Sequence, residues 1–134
     1  MENTKNMEGN LEIARENFKK WNNLLKTGDP KKVADLYSDG ATFLPTLSPK
    51  FKFGQEETEG YFEHFLQKHP SGKVTEEKVQ FTDQSHYLHS GLYDFEVDDK
   101  TARSIVQARF TFLWGKDEKG EWKILHHHSS VLPK

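Results

Sequence analysis

Cysteine is absent from the 134 residues, which excludes disulfides, thiolate catalysis and cysteine-ligated zinc. Long apolar runs are missing as well. No stretch approaches the ~20 apolar residues of a membrane-spanning helix. The opening Met1-Glu2-Asn3-Thr4-Lys5-Asn6 lacks the apolar segment of a secretion signal, so a cytoplasmic location is expected. Neither sign of charge dominates: 19 basic residues stand against 21 acidic ones, interspersed, for a net charge of -2. Without a basic stripe or a polybasic amphipathic segment, neither a nucleic acid nor a membrane surface is an expected partner. Glycine-rich phosphate-binding motifs are also missing, so nucleotide binding has no support.

What is present is a large aromatic complement. Hydrophobic residues make up only 34%, but ten Phe, four Tyr and three Trp supply large buriable rings. A chain of this length holds one core. Residues 1–9 are expected to form a flexible polar stretch, and residues 10–134 a single domain. From Leu11, apolar residues recur at Ala14, Phe18, Trp21 and Leu25, a helical spacing, with Asn10 as expected cap and Thr27-Gly28 as stop. Asp29-Pro30 opens a second short helix, with Val33, Leu36 and Tyr37 facing inward and Ser38-Asp39-Gly40 ending it. Ala41 to Pro45 reads as a short strand and Thr46 to Gly54 as a loop. Gln55 to Lys68 reads as a third helix, with Tyr61, Phe62, Phe65 and Leu66 on its apolar side.

After Gly72 the period changes to two. Four strands are expected, Lys73–Asp83, Ser85–Val97, Ala102–Lys116 and Glu121–Val131, with turns at Asp98-Asp99-Lys100 and Asp117-Glu118-Lys119-Gly120. Helices first and an antiparallel meander afterwards define an α+β fold.

The run Arg109-Phe110-Thr111-Phe112, then Trp114, Gly120-Glu121-Trp122-Lys123-Ile124, His128-Ser129-Ser130 and Pro133, resembles the end of the SnoaL-like family. It also resembles the association (hub) domain of calcium/calmodulin-dependent protein kinase II and its bacterial relatives. Gly28-Asp29, Tyr37 with Ala41, Phe43 with Pro45, and Gly60-Tyr61-Phe62 fit the same pattern, and the resemblance spans about residues 10–133. It implies a cystatin-like cone of the nuclear transport factor 2-like group: three N-terminal helices packed on a curved, mostly antiparallel sheet, with a pocket at the open end. It also implies self-association, as a homodimer or a larger homo-oligomer. A kinase or calmodulin connection does not follow, because the chain carries no kinase motif and no calmodulin-target helix.

Candidate site residues come from the strands. Alternation groups Trp122, Ile124, His126, His128 and Ser130 on one face of the last strand, and Lys123, Leu125, His127, Ser129 and Val131 on the other. Alternation alone leaves open which set faces the pocket; the resemblance to hub domains selects His126 and His128, with Ser130 beside them. These histidines could hydrogen-bond a ligand or exchange a proton near neutral pH, or simply satisfy a neighbouring strand or a subunit interface. A zinc pair with His86 or His89 as third ligand is conceivable on spacing, but the resemblance implies no metal, and neither metal nor cofactor is expected.

Arg109 shares a face with Arg103, Ile105, Gln107, Thr111 and Leu113. The resemblance makes it the residue that would present its fork to a small anionic ligand, with an ion pair to Asp94 or Glu96 as the competing reading. Tyr93 and His89 are expected to line the pocket, with Trp21 and Tyr37 at its mouth. Asp94 and Tyr93 are adjacent on one strand and point oppositely, which weakens an isomerase chemistry that would need both. Ser130 lacks a nucleophile-elbow sequence. Two functions stay in play: a self-associating module with a small-molecule cavity, and a small cofactor-independent enzyme using a cavity histidine as general acid or base.

Overall fold

The computed structural model describes residues 4–134. Helix α1 (Thr4–Leu25) and the short α2 (Pro30–Ala34) lead into strand β1 (Tyr37–Leu44). A two-residue β2 (Lys52–Phe53) follows, then α3 (Gly54–Phe65) and the single 3-10 turn Leu66–Lys68. Four strands complete the chain: β3 (Ser71–Asp83), β4 (His86–Asp98), β5 (Arg103–Lys116) and β6 (Trp122–Val131). They form one six-stranded sheet in the order β2-β1-β6-β5-β4-β3. Every pairing is antiparallel except β1 with β6, which is parallel.

Local chemistry explains most boundaries. The Asp29 carboxylate accepts from the Lys31 amide at 3.0 Å and the Lys32 amide at 3.4 Å, capping α2, with Pro30 at its first turn. Gly28 takes a φ of +71°, which ends the α1 segment. The Asp99 and Asp117 carboxylates accept amides across their hairpin turns, as turn aspartates do.

Besides shifts of one to three residues at other ends, three differences from expectation stand out. Helix α1 starts at Thr4, upstream of Asn10, so Asn10 does not cap it; of the expected flexible stretch, residues 1–3 lie outside the described residues and 4–9 continue the helix. Tyr37 opens β1 rather than closing α2, because β1 pairs with β6 from Tyr37 opposite Ile124 onward. Inside the expected loop, Lys52 and Phe53 pair with Phe43 and Thr42 as β2.

The helices lie on one face of the sheet. Phe18 and Trp21 of α1 project onto the concave face, with Trp21 edge-on to Phe112 at 5.4 Å and to Phe95 at 5.9 Å. Asn22 brackets Gly72, donating to its carbonyl at 3.1 Å and accepting its amide at 2.8 Å, which pins α1 to the start of β3. Register shifts occur in the β3–β4 and β5–β6 pairings, and such bulges bend a sheet. β3 is a long edge strand, and its Lys73, Glu76, Glu77 and Lys78 discourage strand addition.

Candidate functional site: a small aromatic cavity and a polar outer strip

On β5 the alternation holds. Ala108, Phe110, Phe112 and Trp114 are buried on the concave face, while Ile105, Gln107 and Arg109 are exposed on the outer one. On β6 it breaks. Trp114 pairs with Ile124, but Leu113 pairs with His126, so Leu125 is an extra residue in the strand. The bulge puts His127 and Ser129 on the concave face together with Ile124, and sends His126, His128 and Ser130 to the outer face.

His127 is buried among rings. It stacks on Phe112 at 4.0 Å and on Phe43 at 4.8 Å, and meets Trp21 edge-on at 5.5 Å. Both ring nitrogens are engaged, and counting protons fixes the tautomer. The Trp21 indole N–H donates to the Tyr37 hydroxyl oxygen at 3.2 Å; with Nε2–H of the neutral ring given to Tyr93, His127 Nδ1 accepts the Tyr37 proton at 2.9 Å. The Tyr93 O–H donates to Ser129 Oγ, so Tyr93 accepts from His127 Nε2–H at 3.2 Å. Ser129 in turn bonds Thr46 of the segment after β1. The chain Trp21–Tyr37–His127–Tyr93–Ser129–Thr46 therefore runs in one direction with each donor used once. Burial holds the His127 ring well below the usual histidine range, reinforced by the neighbouring His126 and His128, and pushes Tyr37 and Tyr93 well up.

This chain ends at a small, partly open cavity of about 30 Å³. Its walls include Trp21, Phe43, Tyr61, Phe65, Tyr93, Val106, His127 and Ser129, with Thr46 and Leu47 covering it. That is room for about one or two waters, against roughly 300–1,000 Å³ for a typical small-molecule site. No lysine, arginine, aspartate or glutamate is among the residues lining it.

The expected site residues therefore separate. Trp21 and Tyr93 line the cavity. Tyr37 is buried behind the lining residues Trp21 and His127, to both of which its hydroxyl is bonded. His89 is buried elsewhere, with its Nε2 2.9 Å from Glu77, whose other oxygen meets Arg15 of α1 at 3.1 Å. Burial lowers the His89 pKa despite that carboxylate, and its Nδ1 has no partner among the described residues. Arg109, His126, His128 and Ser130 come together, as expected of one site, but on the outer face rather than in the cavity. Arg109 Nε donates to Ser130 Oγ at 3.3 Å, and His126 Nδ1 lies 2.6 Å from the Thr42 hydroxyl. The competing ion pair of Arg109 is also absent among the described residues; Arg103 is the residue that pairs with Glu96 and Asp98, at 3.7 and 2.9 Å. The residues missed from sequence are His127, Ser129, Thr46 and Tyr61. No sequence signal marked the first two, since apolar residues occupy both faces of this sheet and Ile124-Leu125 reads equally well as regular alternation.

A curved sheet wrapping a long helix, with a small cavity at one end, defines a cystatin-like cone. An uncharacterised protein of Caulobacter vibrioides with that fold matches at a TM-score of 0.74 with 11% identity, over 93% of this chain and 91% of its own. A nuclear transport factor 2-like protein of Novosphingobium aromaticivorans matches at 0.72 with 10% identity, over 98% and 92%. Such identities speak for the fold alone. A structure from Xanthomonas campestris described as a calcium/calmodulin dependent protein kinase II association domain is closer in sequence. It matches at a TM-score of 0.87 with 42% identity, over 92% of this chain and 87% of that one. No curated protein matches significantly. The model of the calcium/calmodulin dependent protein kinase II association domain matches residues 10–133, and the chain belongs to that family. Among the described residues no helix is long and apolar enough to cross a membrane.

Proposed function

We propose that this chain is a self-assembling module in which the outer face of the sheet takes a second copy. One observation carries the reading. The helices cover only the concave face, while the outer face holds half-buried Leu44, Leu88, Leu92, Leu113 and Leu125 among Ser90, Thr111 and Ser130. A sheet with apolar residues on both faces is suited to burial on both. Membership of an association-domain family points the same way.

Sedimentation equilibrium at micromolar concentration tests this, using the chain and a Leu113→Glu variant. The expected result is a dimer or larger species for the chain and a monomer for the variant. A monomeric parent chain overturns the reading.

A ligand role for the interior has weaker footing. The cavity presents rings and neutral hydroxyls, which suit a small uncharged molecule. The donors an anion would need, Arg109 and Ser130, stand on the outer face that the second copy covers. The catalytic alternative, a cavity histidine acting as general base, would rest on His127. Its partners are two phenols rather than a carboxylate, and burial disfavours its charged form, so it is a poor proton acceptor.

A further inference from the structure

We infer that Arg109 of one copy pairs with Asp94 of a second copy across the outer face of the sheet; this rests on the self-assembly reading above. Both residues stand on that face. Leu92 is opposite Arg109 and Asp94 is opposite Gln107, so the two occupy diagonal positions on neighbouring strands. Arg109 is exposed and Asp94 half-buried, and among the described residues neither has an oppositely charged group within ion-pair distance.

The surroundings make the arginine distinctive. From Ile105 through Leu113 on β5, and from Leu125 to Ser130 on β6, the outer face carries Arg109, His126 and His128 and no carboxylate. The acids of that face lie on the other half, at Asp94, Glu96 and Asp98 of β4 and Glu76 of β3, together with Lys73, opposite Asp94, and Lys78. One half carries basic groups and no acid, the other more acids than lysines, and such halves complement each other when two copies meet face to face.

Symmetry supplies the rest. In a two-fold interface, if position i meets position j then j meets i. A two-fold axis lying between the sheets and crossing midway between Arg109 and Asp94 puts each arginine over the other copy's aspartate. Packed sheets sit about 10 Å apart, a gap that a long guanidinium side chain and a short carboxylate one fill together. Leu92 then flanks two symmetric ion pairs, with Leu88 and Leu113 further along the same strands, and the desolvation of the interface strengthens the pairing. The pair also sets which rows of the two sheets face each other, since a shift along the strands separates both pairs at once.

The test is a charge swap read by sedimentation equilibrium, with circular dichroism confirming that each variant is folded. Arg109→Asp and Asp94→Arg each place like charges together and raise the dissociation constant at least about tenfold. The double variant, with the pair reversed, returns to within about threefold of the parent. Single variants that associate as the parent does overturn the pairing, as does a double variant no tighter than the weaker single one. A parent chain that stays monomeric instead overturns the self-assembly reading on which the pairing rests.

Discussion

Ile124 and His127 point to the same side of β6, because the bulge at Leu125 takes up the residue that would otherwise set them on opposite faces. That one irregularity decides which histidine of the three is internal. His127 closes a hydrogen-bond chain inside the core, while His126 and His128 face outward beside Arg109 and Ser130.

The first consequence concerns stability. His127→Ala leaves the Tyr37 proton without its acceptor and the Tyr93 oxygen without its donor, and opens space between Phe43 and Phe112. Unpaired buried hydroxyls and a cavity together cost about 3–5 kcal/mol. His126→Ala removes a half-buried ring bonded to Thr42, and costs less than about 1 kcal/mol. Urea unfolding of the two variants checks the difference; equal losses would contradict the bulged register.

The second concerns pH. Burial lowers the pKa of both His127 and His89 in the fold, so the unfolded chain binds protons more readily than the native one. Stability from these groups is complete above the unfolded histidine value, near 6.5, and falls as pH drops toward the folded values. The lowered carboxylates Asp83, Asp98, Asp99 and Asp117 lose their contribution only at lower pH, below the ordinary carboxylate range. The Tm is expected to fall from about pH 7 to about pH 5. In His127→Gln, which cannot take up a proton, that slope is shallower; an unchanged slope would assign the effect to other groups.

The helices and the meander were legible because their signals are periodic and local. Phe18, Trp21 and Leu25 mark a helical stripe, Phe110, Phe112 and Trp114 a strand face, and Asp29-Pro30 a helix start. The site was half legible for a reason of the same kind. Arg109, His126, His128 and Ser130 do share a face, as period two requires, but period two cannot say which face is concave. It also fails at an extra residue, and β6 has one. The parallel contact of β1 with β6 was not legible, since it joins segments far apart in the chain and leaves no periodic trace.

Glu77 supplies the third prediction. Its carboxylate meets buried His89 with one oxygen and Arg15 with the other. The Arg15 side chain is 62% exposed, so Arg15→Ala changes stability by less than about 1 kcal/mol. Glu77→Ala deprives the buried His89 Nε2–H of its acceptor on a ring whose Nδ1 already lacks a partner, and costs about 2–3 kcal/mol. Glu77→Gln keeps an acceptor oxygen there and recovers most of the loss. Thermal unfolding of the three variants gives the ranking, and a Gln variant as unstable as the Ala one would mean that charge, rather than the hydrogen bond, holds His89.

Gly91 supplies the last. The β3 bulge between Val74 and Glu76 brings the Glu76 carbonyl oxygen to 1.9 Å from where a Cβ on Gly91 would lie, with backbone atoms of Glu76 and Glu77 under 3 Å away. Backbone cannot swing aside as a side-chain end can, so Gly91→Ala must push β3 off β4 at this point. Glu77 sits on that displaced segment, and its contacts to His89 and Arg15 go with it. The expected cost is about 3 kcal/mol or more, at the high end for a single substitution. The damage is local in a diagnostic way: amide exchange speeds up along β3 and the facing part of β4, while β5 and β6 keep their protection. Gly72→Ala is the control, because its Cβ would meet only the side-chain rings of Phe95 and Phe18, at 3.0 Å and beyond, which can shift. A Gly91→Ala variant with parental stability and undisturbed β3 exchange would contradict the bulge as the device that bends this edge of the sheet.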